Sequence, residues 1–207
     1  MRLIVVSPAT KKYAKEFIYD ELHIVEEPPK KYILKLEDLY KDVLAIGGGS
    51  VIDTAKILCK GRIVAIPTTY SGASGTSHAV YWDGNEKRNI KCKEPITIVD
   101  DKYSKDLPKE VEAASKVDCM CHIIESLLSP KANDESDEQV KKAVEFIRKG
   151  DWLSGSIHAG SAIEITGTNL VHGLSYGLTT KYNLPHGVAL SHILNLSKKY
   201  KKVEELL

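Results

Sequence analysis

The 207-residue sequence has one glutamine, two methionines and no apolar run long enough to cross a bilayer. It lacks an excess of charge of either sign: 29 Lys and Arg against 28 Asp and Glu leave a formal net charge of +1. That balance argues against nucleic acid or a membrane as partner. Its four cysteines, Cys59, Cys92, Cys119 and Cys121, form no CxxC pair. Zinc ribbons and thioredoxin-like sites are set aside, and reduced structural thiols remain. The opening MRLIVVSP has too short an apolar run for a secretory signal and reads as a first strand, so the expected compartment is cytoplasmic. There is no low-complexity linker and no internal repeat. Scarce Gln and Asn beside abundant Lys, Glu and Ile lean towards a thermophile.

What is present divides in two. In the first half RLIVVSP, HIVEE, DVLAIGGGS and RIVAIPTT are short, apolar, β-branched runs. Between them ATKKYAKEFIYDEL, YILKLEDLYK and VIDTAKILCKG have helical spacing, the last with Gly61 placed to stop it. This alternation predicts a parallel sheet wrapped by helices. SHAVYWDGNEKRNIKCKE, with an Asp-Gly turn, predicts a β-hairpin, and PITIVDD one more strand. The second half reads as helices. One runs from Pro108 to before Pro130. DESDEQVKKAVEFIRKGDWLSG has an acidic start and a basic end that suit the helix dipole. SIHAGSAIEITGTNLVHGLSYGL reads as a buried helix or helix pair, and a last helix has Pro185 in its first turn. The expected fold class is an α/β N-terminal domain with a parallel sheet, residues 1–105, followed by an all-α domain, residues 106–207.

Two loops stand at the carboxyl edge of that sheet. AIGGGSVIDTAK puts three glycines and a serine between a buried strand and a helix. Glycines admit a phosphate closely, and a helix start offers unpaired N–H groups and partial positive charge. The pattern is neither G-x-G-x-x-G nor a P-loop, so a tight structural turn is the competing reading. The next strand ends in PTTYSGASGTS, a second Gly/Ser-rich loop bearing Thr68 and Thr69. Neighbouring loops at that edge favour a nucleotide, because ligands bind there in open α/β sheets.

A second constellation lies in the helical half. In KVDCMCHIIES, Asp118 and His122 are four apart and share a helix face. Such a pair is commonly just hydrogen-bonded. Here its apolar neighbours bury the helix, and a buried Asp needs a strong partner. His172 and His186 also stand in apolar, Gly-containing surroundings. One carboxylate and three imidazoles can enclose a divalent metal such as Fe²⁺, Zn²⁺, Mn²⁺ or Ni²⁺. His23, His78 and His158 read as packed residues, and His192 as a neighbour of the metal.

These stretches, in order, resemble the iron-containing (group III) alcohol dehydrogenases, within the superfamily that includes glycerol dehydrogenase and dehydroquinate synthase. AIGGGSVIDTAK is similar to the family's pyrophosphate loop and AIPTTYSGASGTS to its threonine-bearing nucleotide loop. LVHGLSYGLTTKYNLPHGVALSHIL is similar to the region carrying its last two metal ligands. The likeness runs over residues 42–194, about three quarters of the chain. It implies an NAD(P)-linked oxidoreductase that interconverts an alcohol and an aldehyde or ketone. It implies a metal, Fe²⁺ first and Zn²⁺ as the alternative, on Asp118, His122, His172 and His186. It implies the cofactor pyrophosphate at Gly47, Gly48, Gly49 and Ser50, Asp53 towards the nicotinamide, and Thr68 and Thr69 on the adenosine half. Lys91 aligns with a family lysine near the cofactor, or Lys87 does. Glu26 or Glu27 would take the adenine-ribose hydroxyls and favour NAD over NADP.

The departures are as informative. Set against the resemblance, the chain reads as a shortened member whose helical metal-binding domain is expected to be truncated relative to the family. A helical half this small leaves room for a homo-dimer whose second subunit completes the core. Where the family typically has a second His, four residues after the first, this chain has Tyr176, which becomes the candidate proton-handling group. The rival readings are a glycerol-1-phosphate dehydrogenase-like or dehydroquinate synthase-like enzyme, or a non-catalytic nucleotide- or metal-binding relative. KRNIKCK would serve a phosphate substrate, but a charged hairpin is usually a solvated face.

Overall fold

Alternation within the strands builds the first unit. β1 (Arg2–Val6), β2 (Glu21–Ile24), β3 (Tyr40–Gly47) and β4 (Cys59–Pro67) form a parallel sheet. Leu3, Val5, Val43, Ala45, Ile63 and Ala65 point to one face and pack with α1 (Gly49–Leu58) through Val51, Ile52, Ala55 and Leu58. Ile4, Val6, Ile46 and Ile66 point to the other, onto Tyr13 and Ala14. This two-face burial is what period-2 side chains require when both sides of a sheet are covered. β5 (His78–Asp83) and β6 (Glu86–Lys91) form the expected hairpin. β7 (Ile96–Thr97) adds to β4, giving the order β2-β1-β3-β4-β7. The computed structural model describes residues 1–37, 39–182 and 184–196.

Two expected helices are not α-helices. Lys11–Glu16 and Lys31–Leu36 are 3-10 segments with no side-chain cap. Thr10, the natural cap of the first, instead donates its hydroxyl to Ile46 O at 2.6 Å. The second stops at Leu36, short of the expected Lys41, because β3 takes the chain from Tyr40. Pro29 O accepts Trp82 N–H at 2.8 Å, so the chain stays extended until Lys30. A six-residue remainder cannot repay helix nucleation. Gly61 is not a helix stop either. It lies inside β4, where a Cβ would come within 1.9 Å of Lys41 O beside an irregularity in the β3/β4 register.

The second unit is helical: α2 (Lys109–Leu127), α3 (Asp134–Arg148), α4 (Trp152–Thr166), α5 (Leu170–Tyr182) and α6 (His186–Leu196). It also holds Tyr70–Gly72, while Met1–Thr69 and Ala73–Leu107 make the first unit. Lys116 joins Tyr70 to this unit, its ammonium 5.7 Å from the Tyr70 ring and 4.9 Å from Trp152. Asn133 and Ser136 form a reciprocal capping box on α3. The helix expected to continue past Lys149 restarts instead at Trp152, because the Asp151 side chain accepts Ser154 N–H at 3.0 Å and caps a new one. Cys119, Ile123, Val140, Ala143, Ala159 and Ala162 make one core cluster, and Cys121, Ile124, Val171 and Leu190 another. The expected last helix reaches Leu196, and its remainder lies outside the described residues.

Candidate metal centre and nucleotide site

In the helical unit, α2 supplies Asp118 and His122, α5 supplies His172, and α6 opens on His186. A donor atom from each of Asp118, His172 and His186 lies within 4.8 Å of the others. Asp118 Oδ1 is the hub: His172 Nε2 stands 3.2 Å from it, His122 Nε2 3.5 Å and His186 Nε2 3.9 Å. His122 stacks on His172, with ring centroids 4.8 Å apart. α6 reaches the hub because Gly187 has no side chain. A Cβ there would come within 2.2 Å of Ala114 O on α2.

The electrostatics favour a cation. Burial pushes the Asp118 carboxyl up, but His122, His172 and His186 outweigh burial and hold it below the usual carboxylate range. Burial opposes charge on His172, yet its bonds to Asp118 and Glu125 raise its pKa above the ordinary value. A buried set of one carboxylate oxygen and imidazole nitrogens is the donor chemistry of a borderline divalent metal, so these residues fit one. Tyr176, one turn after His172 on α5, stacks on His186 with centroids 5.9 Å apart. Burial, aided by Glu125 and Asp118, pushes its phenol up against a hydrogen bond with Thr168. His192 is exposed. Burial pushes the Cys119 and Cys121 thiols well up, and both are free.

Sequence reasoning missed Glu125. Its carboxylate, fully buried, accepts from His172 Nδ1 at 2.5 Å and from the backbone of Val171 at 2.6 Å and His172 at 3.2 Å. The available signal was spacing: Asp118, His122 and Glu125 stand at i, i+4 and i+7 on one face of α2.

In the α/β unit a cavity of about 300 Å³ opens where β1 and β3 diverge in connectivity. Ser7, Glu26, Glu27, Gly48–Ser50 and Thr69 are among its lining. It sits at the carboxyl ends of the strands, at the switch in strand order. No side chain caps α1 at Gly48; the Val51 amide is bonded to Gly48 O at 3.1 Å, and those of Gly49 and Ser50 face the helix start, where a ligand could take them. Acceptors at one end and an uncapped helix start at the other fit the ribose and phosphate of a nucleotide.

The remaining sequence-predicted residues do not line this cavity. Gly47 ends β3, and its carbonyl accepts Thr68 N–H at 3.1 Å, with Thr68 buried. Asp53 is half-buried in α1 beside Lys56 and accepts from the Val80 backbone. Burial pushes the Asp53 carboxyl up, with Lys56 offsetting part of that. Lys91 pairs with His78 on the hairpin face opposite Ala79 and Ile90 and is exposed. Of the two hairpin lysines, Lys87 is the one whose charge acts on Asp53.

Known proteins share this architecture. The 4-hydroxybutyrate dehydrogenase of Clostridium kluyveri is 28% identical, over 83% of this chain and 59% of its own length. The lactaldehyde reductase of Escherichia coli K12 is 27% identical, over 80% and 56%. The chain thus spans a little over half the length of these curated relatives. Among solved structures, the iron-containing alcohol dehydrogenase of Thermotoga maritima superposes with a TM-score of 0.79 at 26% identity, over 93% of this chain and 69% of that one. A sulfoacetaldehyde reductase of Bifidobacterium kashiwanohense, solved in complex with NAD+, shares the fold with a TM-score of 0.77 at 20% identity, over 94% and 67%. Residues 112–205, which carry Asp118, His122, His172 and His186, match the model of the Fe-containing alcohol dehydrogenase family, C-terminal. By that match, by its curated relatives and by its fold, the chain is similar to the iron-containing alcohol dehydrogenases.

Proposed function

We propose that this chain is a metal-dependent, NAD-linked oxidoreductase that interconverts an alcohol and an aldehyde or ketone by hydride transfer. The observation that carries the reading is the convergence of donor atoms of the buried Asp118 and His172 and the half-buried His186 within 4.8 Å of one another. The names of the curated relatives, dehydrogenases and reductases of small alcohols and aldehydes, support it.

Asp118, His172 and His186, with His122 beside them, would hold Fe²⁺ or Zn²⁺. Such an ion, when bound, supplies a Lewis acid for the substrate oxygen. Asp118 contributes an ionised carboxylate, kept so by the imidazoles around it. Tyr176 keeps its phenol protonated at neutral pH, since burial raises its pKa. It therefore serves as a proton donor to a carbonyl oxygen rather than as a base, which suits the reductive direction. In the α/β unit the first-turn amides of α1 would take the pyrophosphate, and Glu26 or Glu27 the ribose hydroxyls. A carboxylate there repels the extra phosphate of NADP, so NAD is the favoured cofactor.

The test is the metal content of purified wild type and His186→Ala, followed by NADH turnover with a panel of alcohols and aldehydes. Loss of metal in the variant and turnover in the wild type are expected. Equal metal in both proteins would sink the site. Tight NAD binding and a loaded metal without turnover would favour a second reading, a non-catalytic relative. One observation leans that way: a phenol raised by burial stands where the resemblance expects an imidazole.

A further inference from the structure

We infer that Glu125 is the positioning residue of the metal centre, holding His172 with its Nε2 turned to Asp118 and so setting the affinity for a divalent cation. The inference rests on the metal reading above. An imidazole has two nitrogens, and only the one without a proton can bind a metal. Which one that is depends on the partner of the other. His172 Nδ1 lies 2.5 Å from Glu125 Oε2, so Nδ1 is held by a carboxylate and Nε2 is the nitrogen left for a metal. Nε2 stands 3.2 Å from Asp118 Oδ1, inside the donor cluster.

Glu125 fixes more than the ring. Its Oε1 accepts the Val171 and His172 backbone N–H groups, the second and third residues of α5. One carboxylate on α2 therefore clamps both the start of the helix that carries the ligand and the ligand's own tautomer. Val171 and His172 are buried and the Glu125 side chain has no solvent exposure, so water does not readily replace these bonds. A charged acceptor also makes the imidazole a stronger electron donor than a neutral one would.

Glu125→Gln keeps the shape and one acceptor oxygen but removes the charge. Zn²⁺ titration against a competing chelator, on wild type and variant, is the measurement. The expected result is an affinity loss of roughly 10–100-fold with the far-ultraviolet circular dichroism of the metal-free protein unchanged. A purely structural role would lower the thermal midpoint with and without Zn²⁺ alike and leave the affinity unmoved, which would overturn the proposal. A wild type that does not bind Zn²⁺ would overturn the metal reading itself. Should the variant not fold, the ¹⁵N spectrum of Zn²⁺-loaded wild type decides. A protonated, hydrogen-bonded Nδ1 on His172 supports the assignment, and a protonated Nε2 refutes it.

Discussion

Replacing Lys56 by methionine is expected to destabilise the protein by about 3–5 kcal/mol at neutral pH, the usual cost of removing one partner from a buried ion pair. Lys56 is 1% exposed, in the last turn of α1. Its ammonium donates to Ala73 O at 2.7 Å, His78 O at 2.6 Å and Thr76 Oγ1 at 3.2 Å, and stands 3.6 Å from Asp53 Oδ1. Methionine fills the space of the stem but donates nothing. Ala73 O loses this donor, at about 1–3 kcal/mol, while His78 O keeps the Thr76 hydroxyl at 3.0 Å. Asp53 loses its cation, and burial already pushes its pKa up with Lys56 present. These two estimates overlap rather than add, because the carboxyl takes up a proton when charge becomes too costly.

That proton gives the experiment its sign. In the variant the folded-state pKa of Asp53 lies still higher above its unfolded value of about 3.9. A raised carboxyl destabilises only once the unfolded chain ionises. The deficit is therefore small near the unfolded value, grows as pH rises towards the folded one, and levels off above it. Urea unfolding of the full chain at acid and neutral pH, followed by circular dichroism, measures both quantities. A loss under about 1 kcal/mol at neutral pH, or a deficit that is larger in acid, would refute the account. Adding Asp53→Asn to the variant should return part of the loss, as coupled neighbours do.

Three further outcomes follow from the helical unit. Gly187→Ala would put a Cβ 2.2 Å from Ala114 O, so α6 must move off α2 and take His186 with it. A stability loss of about 1–3 kcal/mol together with poorer metal retention is expected, read by denaturation and elemental analysis. Gly173→Ala, one residue after His172 in α5, would meet nothing within 4 Å and should stabilise by about 0.5–1 kcal/mol, a result that a crowded helix surface would reverse. His158, stacked on Phe146 and hydrogen-bonded to Gln139 at 2.8 Å, has its pKa lowered, chiefly by burial and then by Lys142. Its neutral form is the folded one, so acid below the unfolded value of about 6.5 favours unfolding. His158→Gln should flatten that part of the stability–pH curve, and an unchanged slope would exclude the histidine as its source.

The sheet was legible because its signals are local. Runs such as LIVV and VAI are apolar on both faces, which only a covered parallel strand permits. The connections were less so. Thr10 and Pro29 each commit backbone or side-chain groups to distant strands, and no local period reveals that Ile46 and Trp82 will claim them. In the candidate centre, Asp118 and His122 could be paired from spacing, whereas His172 and His186 joined them only through their apolar, Gly-containing surroundings and the resemblance. Glu125 was overlooked because a glutamate in an amphipathic helix is ordinarily solvated. Its burial comes from α5 docking over it, a tertiary fact. The cavity beside Glu26 and Glu27 likewise depends on strand order, which alternation alone does not specify.

The polar groups of α2 also explain why α5 docks in one register. α2 buries Cys119 and Ile123 in one cluster and Cys121 and Ile124 in another, with Asp118, His122 and Glu125 on a third stripe. Apolar contacts alone discriminate poorly between seatings of α5, because a one-turn slip exchanges Val171 for the small, also buried Ser175 and loses only a few methyl contacts. The same slip carries Tyr176 to the place of His172. Glu125 and Asp118 would then face a phenol, and two buried carboxylates would share one fewer imidazole. Stranding a buried charge costs about 3–5 kcal/mol, a large share of a domain's net stability. The charged stripe thus selects the register, and the register is what presents His172 Nε2 to Asp118. On this argument Glu125→Leu, which leaves the apolar contacts intact, should loosen α5 first. Backbone amides of Val171 and His172 would exchange faster while those of α3 and α4 keep their protection, and uniform loss of protection across all five helices would refute the selective role.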